Sequence, residues 1–219
     1  MCNSNKAKND SNYSRLFARI YNPVMNNLER KFLRLKREEL LKELKGDILE
    51  VGAGTGINFD IYNPDQTKVF AFEPSEAMLG FARQKMESMA VNKHIKLIKA
   101  GVGDVLPADA IPEEGFDYVV CTLVLCTIPD AKAALEAISG YLKPDGKLLV
   151  LEHIKAKSGF GRFVQNSLNP IWKHCAEGCH LNRPTDLLLK AMGYIADKES
   201  YFSKIIPFYM ASLRFSGKQ

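Results

Sequence analysis

The chain has 219 residues, of which 46% are hydrophobic, and a formal net charge of +5. This length predicts one domain over 1–219 with a substantial core, and the charge is too small to indicate nucleic-acid binding by itself. Met1–Asp10 lacks the apolar core of a secretory signal and the five cysteines are an odd number, so we expect reduced thiols and a cytoplasmic location. The longest apolar stretch, Tyr118–Ile128, is too short to predict a membrane span.

The first 45 residues predict an arm followed by two helices. Residues 1–12 are polar, which favours disorder. Tyr13–Tyr21 indicates a short helix and Val24–Leu44 a longer one, and we expect 13–45 to cover the site as a helical lid. Mixed charges favour packing of the longer helix on the domain, although a basic amphipathic helix also allows peripheral contact with a membrane. The apolar residues near helical spacing in it are Leu28, Phe32, Leu35 and Leu44.

A glycine-rich motif lies within Asp47–Gly56, which reads Asp-Ile-Leu-Glu-Val-Gly-Ala-Gly-Thr-Gly. A short apolar strand that runs into glycines is typical of the nucleotide site of a doubly wound α/β fold, and glycine lets a ligand approach the backbone. Gly52, Gly54 and Gly56 are each two apart and follow Glu50, unlike the dinucleotide fingerprint G-x-G-x-x-G. Because the motif also lacks the lysine of a P-loop, it favours an adenosyl ligand without a phosphate chain.

The next predicted strand, Lys68–Glu73, ends in a carboxylate. An acid at this strand end accepts hydrogen bonds from ribose hydroxyls, although NAD enzymes place one there too. Ser75 follows Pro74 as a predicted helix N-cap, and Met78 is placed to lay its thioether against an adenine. Taken singly, these residues also fit a surface acid, a helix cap and a core methionine. Their order along the chain indicates that Glu73, Pro74 and Met78 contact the adenosyl ligand.

The rest of the chain predicts a parallel sheet completed by a hairpin. A short helix is expected directly after the glycines. Strands that alternate with helices at this spacing indicate right-handed crossovers. Two β-like runs at the C-terminal end have a short connection, so we expect them to pair antiparallel. The sequence thus predicts an α/β, Rossmann-like fold with seven strands. The later strands are predicted at His94–Ala100, Phe116–Leu123, Leu148–His153, Tyr194–Phe202 and Phe208–Phe215, and the helices at 75–90, 129–142, 161–174 and 185–192.

Two further polar residues follow strands at the same predicted edge of the sheet. Asp104 is a candidate acceptor for an adenine amino group, or else a turn residue. His153 is the candidate general base, and a histidine hydrogen-bonded in the core is the open alternative. No metal site is predicted, because four ligands within the run His174–His180 would be cramped for tetrahedral zinc.

The glycine motif resembles motif I of the class I S-adenosylmethionine-dependent methyltransferases. Cys121–Cys126 resembles, more narrowly, the methyltransferase-like thiol S-methyltransferases and bacterial relatives near the ubiquinone and phospholipid methyltransferases. Animal members begin with a hydrophobic membrane anchor, and we expect none in this chain. Further matches to this family are Glu152-His153, Asn169-Pro170-Ile171-Trp172 and Gly178-Cys179-His180-Leu181.

The resemblance implies S-adenosylmethionine as the cofactor, with Thr122 among the residues of its site. Thr122–Leu125 stands where amino-methylating nucleic-acid enzymes carry Asn/Asp-Pro-Pro-Tyr/Phe, so no nucleic-acid partner is expected. An apolar lining suits a small acceptor, and we expect a thiol, with His153 helping to deprotonate it. The alternatives are a quinone-, phenol- or lipid-amine-type acceptor, and a non-catalytic cofactor-binding module that acts through a partner.

Overall fold

The computed structural model describes residues 32–89, 93–107, 109–176, 178–203 and 206–217. The predicted arm, 1–12, and the first helix of the predicted lid, Tyr13–Tyr21, lie outside these residues. The described chain builds a twisted layer of strands with helices packed against it.

Seven strands form one mixed sheet in the order β3-β2-β1-β4-β5-β7-β6. β1 to β5 run parallel, and β7 pairs antiparallel with both β5 and β6. This confirms the predicted α/β fold, with a mostly parallel sheet and a C-terminal antiparallel hairpin. The strands are β1 (Gly46–Val51), β2 (Thr67–Phe72), β3 (Ile95–Ile98), β4 (Phe116–Thr122), β5 (Leu142–His153), β6 (Tyr194–Phe202) and β7 (Phe208–Phe215).

The register brings the ends of three central strands level with one another. Val51 of β1 lies beside Phe72 of β2 on one side and beside Cys121 of β4 on the other. These strands are buried on both faces, as expected of the centre of a parallel sheet. The residues that follow, including Gly52 and Glu73, therefore meet at one edge of the sheet.

Among the described residues, five α-helices connect or flank the strands. Ser75 is the predicted N-cap of the second, and its hydroxyl accepts a 3.4 Å hydrogen bond from the backbone of Met78. No helix in the described ranges is long and apolar enough to cross a bilayer. The helices are α1 (Arg34–Leu41), α2 (Glu76–Ser88), α3 (Ala131–Tyr141), α4 (Gly159–Cys175) and α5 (Thr185–Ala191).

The short helix predicted directly after the glycines is wrong. Residues 54–61 form successive turns, in which the amides of Phe59 and Ile61 bond to carbonyls three residues earlier. Gly56 has a φ of +78°, outside the right-handed helical region, and Pro64 disfavours a helical residue before it. Both ends of this segment therefore oppose a helix.

The apolar face of α1 packs on the sheet, and one of the residues predicted on this face is wrong. Leu35, predicted on its apolar face, is 67% exposed, whereas Leu33 and Leu41 are fully buried. Arg37 lies midway between these two leucines on the same face and is only 2% exposed. Residues four apart share a helix face, so this arginine is carried into the protein with the leucines.

Candidate active site

The glycine turn packs tightly at two positions and is open at a third. A Cβ on Gly52 would lie 2.2 Å from Cγ2 of Val124, and one on Gly56 would lie 2.5 Å from the ring of Phe59. At Gly54, no described atom lies within 4 Å of that position. All three glycines have positive φ, between +57° and +78°. Gly54 is therefore the point of the turn where a ligand can approach the backbone.

Glu73 ties this turn to the start of α2. Its Oε2 accepts a 2.9 Å hydrogen bond from the amide of Gly54, and its Oε1 accepts one of 2.8 Å from the amide of Ser75. The residue is 7% exposed. Each carboxylate oxygen has two lone pairs, so a carboxylate is able to accept bonds from several donors at once.

A buried polar network lies beside the turn and joins four parts of the chain. Nη1 of Arg37 donates to Oδ1 of Asn58 at 3.0 Å and to the hydroxyl of Thr122 at 2.6 Å. Nδ2 of Asn58 donates to Oε1 of Glu50 at 2.8 Å and lies 3.1 Å from the hydroxyl of Thr122. The predicted residues Glu50 and Thr122 are thus linked by hydrogen bonds through Arg37 and Asn58, which the sequence did not indicate as site residues.

Burial gives the Glu50 carboxyl an unusual pKa, against the effect of this network. Burial raises the pKa of its carboxyl to about 7, although Asn58, Tyr62, Arg37 and Lys85 favour the charged form. Its second oxygen, Oε2, is buried without a hydrogen-bond partner among the described residues. The neighbouring donor is the hydroxyl of Tyr62, which is also buried and interacts with this carboxyl.

The other predicted cofactor contacts, Met78, Pro74 and Asp104, lie outside the buried polar network. Met78 is 6% exposed at the start of α2, and Pro74 is exposed. Oδ2 of Asp104 accepts a 2.7 Å bond from the amide of Gly101, as a turn residue does. The cofactor roles of these three residues stay predictions.

His153, the predicted base, belongs to a buried cluster with two cysteines. Its Nε2 lies 3.0 Å from Sγ of Cys179, which lies 3.4 Å from Sγ of Cys126. The hydrogen bond with Cys126 and the contact with His153 lower the pKa of the Cys179 thiol, although burial opposes this. Burial has the largest single effect and lowers the pKa of His153, but the hydrogen bond and charge of Cys179, together with Glu152 and the backbone of Leu181, outweigh it and the net pKa is raised. The role of His153 as a base stays a prediction, and its Nε2 is shared with a thiol.

A model of the methyltransferase domain matches residues 25–194. The chain belongs to this family. Rat thiol S-methyltransferase TMT1B is 36% identical over 159 residues, which cover 68% of this chain and 64% of the rat protein. Human thiol S-methyltransferase TMT1A is 32% identical over 168 residues, 76% of this chain and 67% of that protein. This chain thus spans less than two thirds of the rat relative's length.

Solved structures agree on the fold of this methyltransferase domain. An O-methyltransferase family protein from Burkholderia thailandensis superimposes with a TM-score of 0.69 over 94% of this chain and 60% of its own, at 14% identity. Identity this low supports the architecture alone.

Some site residues of the methyltransferase domain were missed because they come from distant parts of the sequence. Arg37 gave one usable signal, since it stands four residues from a leucine on either side, on an apolar helix face. Asn58 gave none. The run His174–His180 does not form a cluster: Cys175 is exposed, and Nδ1 of His180 faces the carbonyl of Cys126.

Proposed function

We propose that the protein transfers a methyl group from S-adenosylmethionine to a small-molecule thiol. The main support for this cofactor is the hydrogen bond between Glu73 and the amide of Gly54. It holds a carboxylate beside the open point of the glycine turn. The motif holds no lysine for a phosphate chain. When bound, S-adenosylmethionine supplies a methyl group on a positively charged sulfur.

The residues present fit this cofactor. Glu73, which lies beside the open turn at Gly54, would accept bonds from ribose hydroxyls of the cofactor, and Glu50 is a second proposed contact. Met78, Pro74 and Asp104 complete the proposed contacts on the adenine side. When ionised, the carboxyl groups of Glu50 and Glu73 would also stabilise the positive charge of the cofactor's sulfonium.

Two observations support a thiol as the methyl acceptor: the names of the similar proteins, and the apolar residues beside Thr122. Relatives at 32% to 36% identity are named thiol S-methyltransferases. Leu123 and Val124 follow Thr122 half-buried, and Leu123 has a φ of +56°, a conformation that a leucine rarely adopts. Such strain is concentrated at functional sites. A thiol needs only to lose a proton to become a strong nucleophile.

The described part of the predicted lid supports a covering role. Arg37 of α1 reaches Thr122 at the end of β4, so this helix is already tied to the edge where the ligand would bind. We propose that 13–45 shields the site from water as a lid within one domain over 1–219.

An acceptor panel tests the proposed reaction. The full chain is incubated with S-adenosylmethionine and with thiols, phenols, quinols and lipid amines in turn, and the methylated product is measured by mass. We expect thiols to turn over at least about tenfold faster than the other classes, because a few per cent of a thiol is already thiolate at neutral pH. Turnover of amines or phenols alone would move the acceptor to another class. Cofactor binding without any turnover would favour the non-catalytic alternative.

We also infer a peripheral contact with an anionic membrane surface, through α4. This helix exposes Phe160 by 71%, Phe163 by 69% and Ile171 by 68%, with Leu168 and Trp172 partly exposed beside them. Residues 154–176 contain four lysine and arginine side chains and no acidic one. A helix with an apolar face flanked by positive charge is the form that binds anionic lipid interfaces. The cytoplasmic location is proposed with it, and the four free cysteines of the described ranges suit a reducing compartment.

Vesicle sedimentation tests the membrane contact. The full chain should sediment with vesicles that contain phosphatidylserine and less with neutral vesicles, and Phe160→Glu with Phe163→Glu should abolish this. Leu187→Glu, on the exposed face of α5, is the matched control. If the double variant instead converts a dimer to a monomer without changing sedimentation, the face is an interface between copies and the membrane contact is wrong.

A further inference from the structure

The cluster of Cys126, His153 and Cys179 is separate from the network around Glu50. Each residue is buried, with exposed fractions of 1%, 7% and 6%. The three donor atoms, two sulfurs and one imidazole nitrogen, lie within 4.8 Å of one another. We propose that they form a three-ligand site for a thiophilic divalent cation, with Zn²⁺ the best match to the donor set.

The three ligands come from separate elements that converge on one point. Cys126 follows β4, His153 ends β5, and Cys179 lies in the connection between α4 and α5. No two are neighbours in the sequence, which removes the crowding that argues against zinc in the run His174–His180. Sulfur and imidazole donors in this combination occur in zinc sites of the Cys₂His type.

The backbone around the cluster is fixed by its own hydrogen bonds. The amide of His180 donates to the carbonyl of Cys126 at 2.9 Å, which holds the Cys179 segment against the end of β4. Arg183 donates to the carbonyls of Leu125 and, at 2.6 Å, Ile128. A donor set held by a rigid frame binds an ion with little reorganisation.

The observed distances are close to those a tetrahedral ion requires. Zinc bonds of about 2.3 Å to sulfur and about 2.1 Å to nitrogen place two sulfurs roughly 3.8 Å apart and sulfur and nitrogen roughly 3.6 Å apart. The corresponding separations here are 3.4 Å for Cys126 and Cys179 and 3.0 Å for Cys179 and His153. In these two pairs the atoms need to spread by only about half an ångström around an ion. In the third pair, Sγ of Cys126 and the imidazole nitrogen of His153 lie within 4.8 Å of each other.

Three protein ligands leave one position for a small molecule. Within the described ranges, no fourth histidine, cysteine or carboxylate joins this group. Zinc sites with three protein ligands are the ones that bind water or substrate. An acceptor thiol that loses its proton to solvent and forms a sulfur–metal bond would fill this position as a thiolate. This last step rests on the proposed function, whereas the metal site does not.

Cobalt titration of the reduced, chelator-treated full chain tests the site without cofactor or acceptor. We expect one Co²⁺ per chain, with the intense absorption of thiolate ligands, and displacement by Zn²⁺. Cys126→Ser and Cys179→Ser should each weaken binding by about tenfold or more, and Cys175→Ser, an exposed cysteine at the end of α4, should leave it unchanged. Absence of thiolate absorption in the wild-type chain, or its loss in Cys175→Ser, overturns the proposal.

Alkylation of the wild-type chain gives a second readout that needs no variant. Bound Zn²⁺ should protect Cys126 and Cys179 from a thiol reagent and leave Cys175 reactive. If zinc protects none of them and the two buried cysteines instead form a disulfide in air, the site is a thiol pair and the metal proposal is wrong. A cobalt spectrum that does not change when a small thiol is added rejects thiol ligation alone. The acceptor panel decides methyl transfer independently of both results.

Discussion

The guanidinium of Arg37 donates a 2.6 Å hydrogen bond to the hydroxyl of Thr122, 85 residues further along the chain. Both side chains are buried, and the same guanidinium bonds to Asn58, which in turn bonds to Glu50. The helix before the first strand is thereby joined to the ends of β1 and β4. This bond makes α1 part of the site as well as part of the fold.

Loss of the Arg37 guanidinium should destabilise the protein. Arg37→Met keeps the bulk of the side chain but leaves Oδ1 of Asn58 without this donor, and hydrogen bonds to charged groups contribute roughly 1.5–3 kcal/mol each. We expect a loss of about that size in the free energy of unfolding, measured in urea. Arg34→Met is the control: its ion pairs with Glu38 and Asp60 are partly exposed and contribute less than about 1 kcal/mol. Equal effects of the two substitutions would mean that the buried network adds nothing.

Glu50 should make stability fall as the pH rises between about 4.5 and 7. Its pKa is about 7 in the folded protein against an ordinary value of 4.5, because burial outweighs Asn58, Tyr62, Arg37 and Lys85. The folded state therefore binds more protons than the unfolded state in this window. The stabilising contribution is fully present below pH 4.5 and is lost as the pH passes 7. At about 1.36 kcal/mol per pKa unit, the loss is roughly 3 kcal/mol.

Glu50→Gln checks this directly, because it removes the titrating group. The free energy of unfolding, measured by urea denaturation across this pH window, should have a flatter pH profile in the variant than in the wild type. Glu87→Gln, an exposed position on α2, should keep the wild-type slope. If Glu50→Gln keeps the wild-type slope too, the carboxyl is charged throughout the window and the account of its burial is wrong.

Removal of residues 1–22 tests the lid. The shortened chain keeps α1 and the sheet, so it should still unfold cooperatively by circular dichroism. Its turnover should fall sharply, because exclusion of water strengthens electrostatic interactions in a site. Cofactor binding by the shortened chain serves as the control for an intact core. Undiminished turnover would restrict the covering role to residues after 22.

The parts of the site that depend on neighbouring residues in the chain could be predicted from the sequence. The spacing of Gly52, Gly54 and Gly56, and the carboxylate that ends the strand before Ser75, were readable because strand, turn and cap signals lie within a few residues of each other. The hairpin was predicted with the bounds Tyr194–Phe202 and Phe208–Phe215 that the structure shows.

The remaining site residues depend on long-range packing. Cys126 and Cys179 are 53 positions apart, and their contact exists only because the segment after α4 returns to the end of β4. Asn58, in the segment expected to be helical, donates to Glu50 of β1, a second contact that the local sequence does not report. Periodicity alone does not report such competition from tertiary contacts.

Calorimetric titration of the full chain with S-adenosylmethionine, compared with Glu73→Ala, tests the central claim most directly. We predict that the wild type binds S-adenosylmethionine and its demethylated product and does not bind NAD. Glu73→Ala should weaken this binding by about tenfold or more, since hydrogen bonds to a charged group contribute roughly 1.5–3 kcal/mol. Glu76→Ala, three residues later and half exposed, should bind as the wild type does. Tight NAD binding without response to S-adenosylmethionine, or unchanged affinity in Glu73→Ala, would contradict the account.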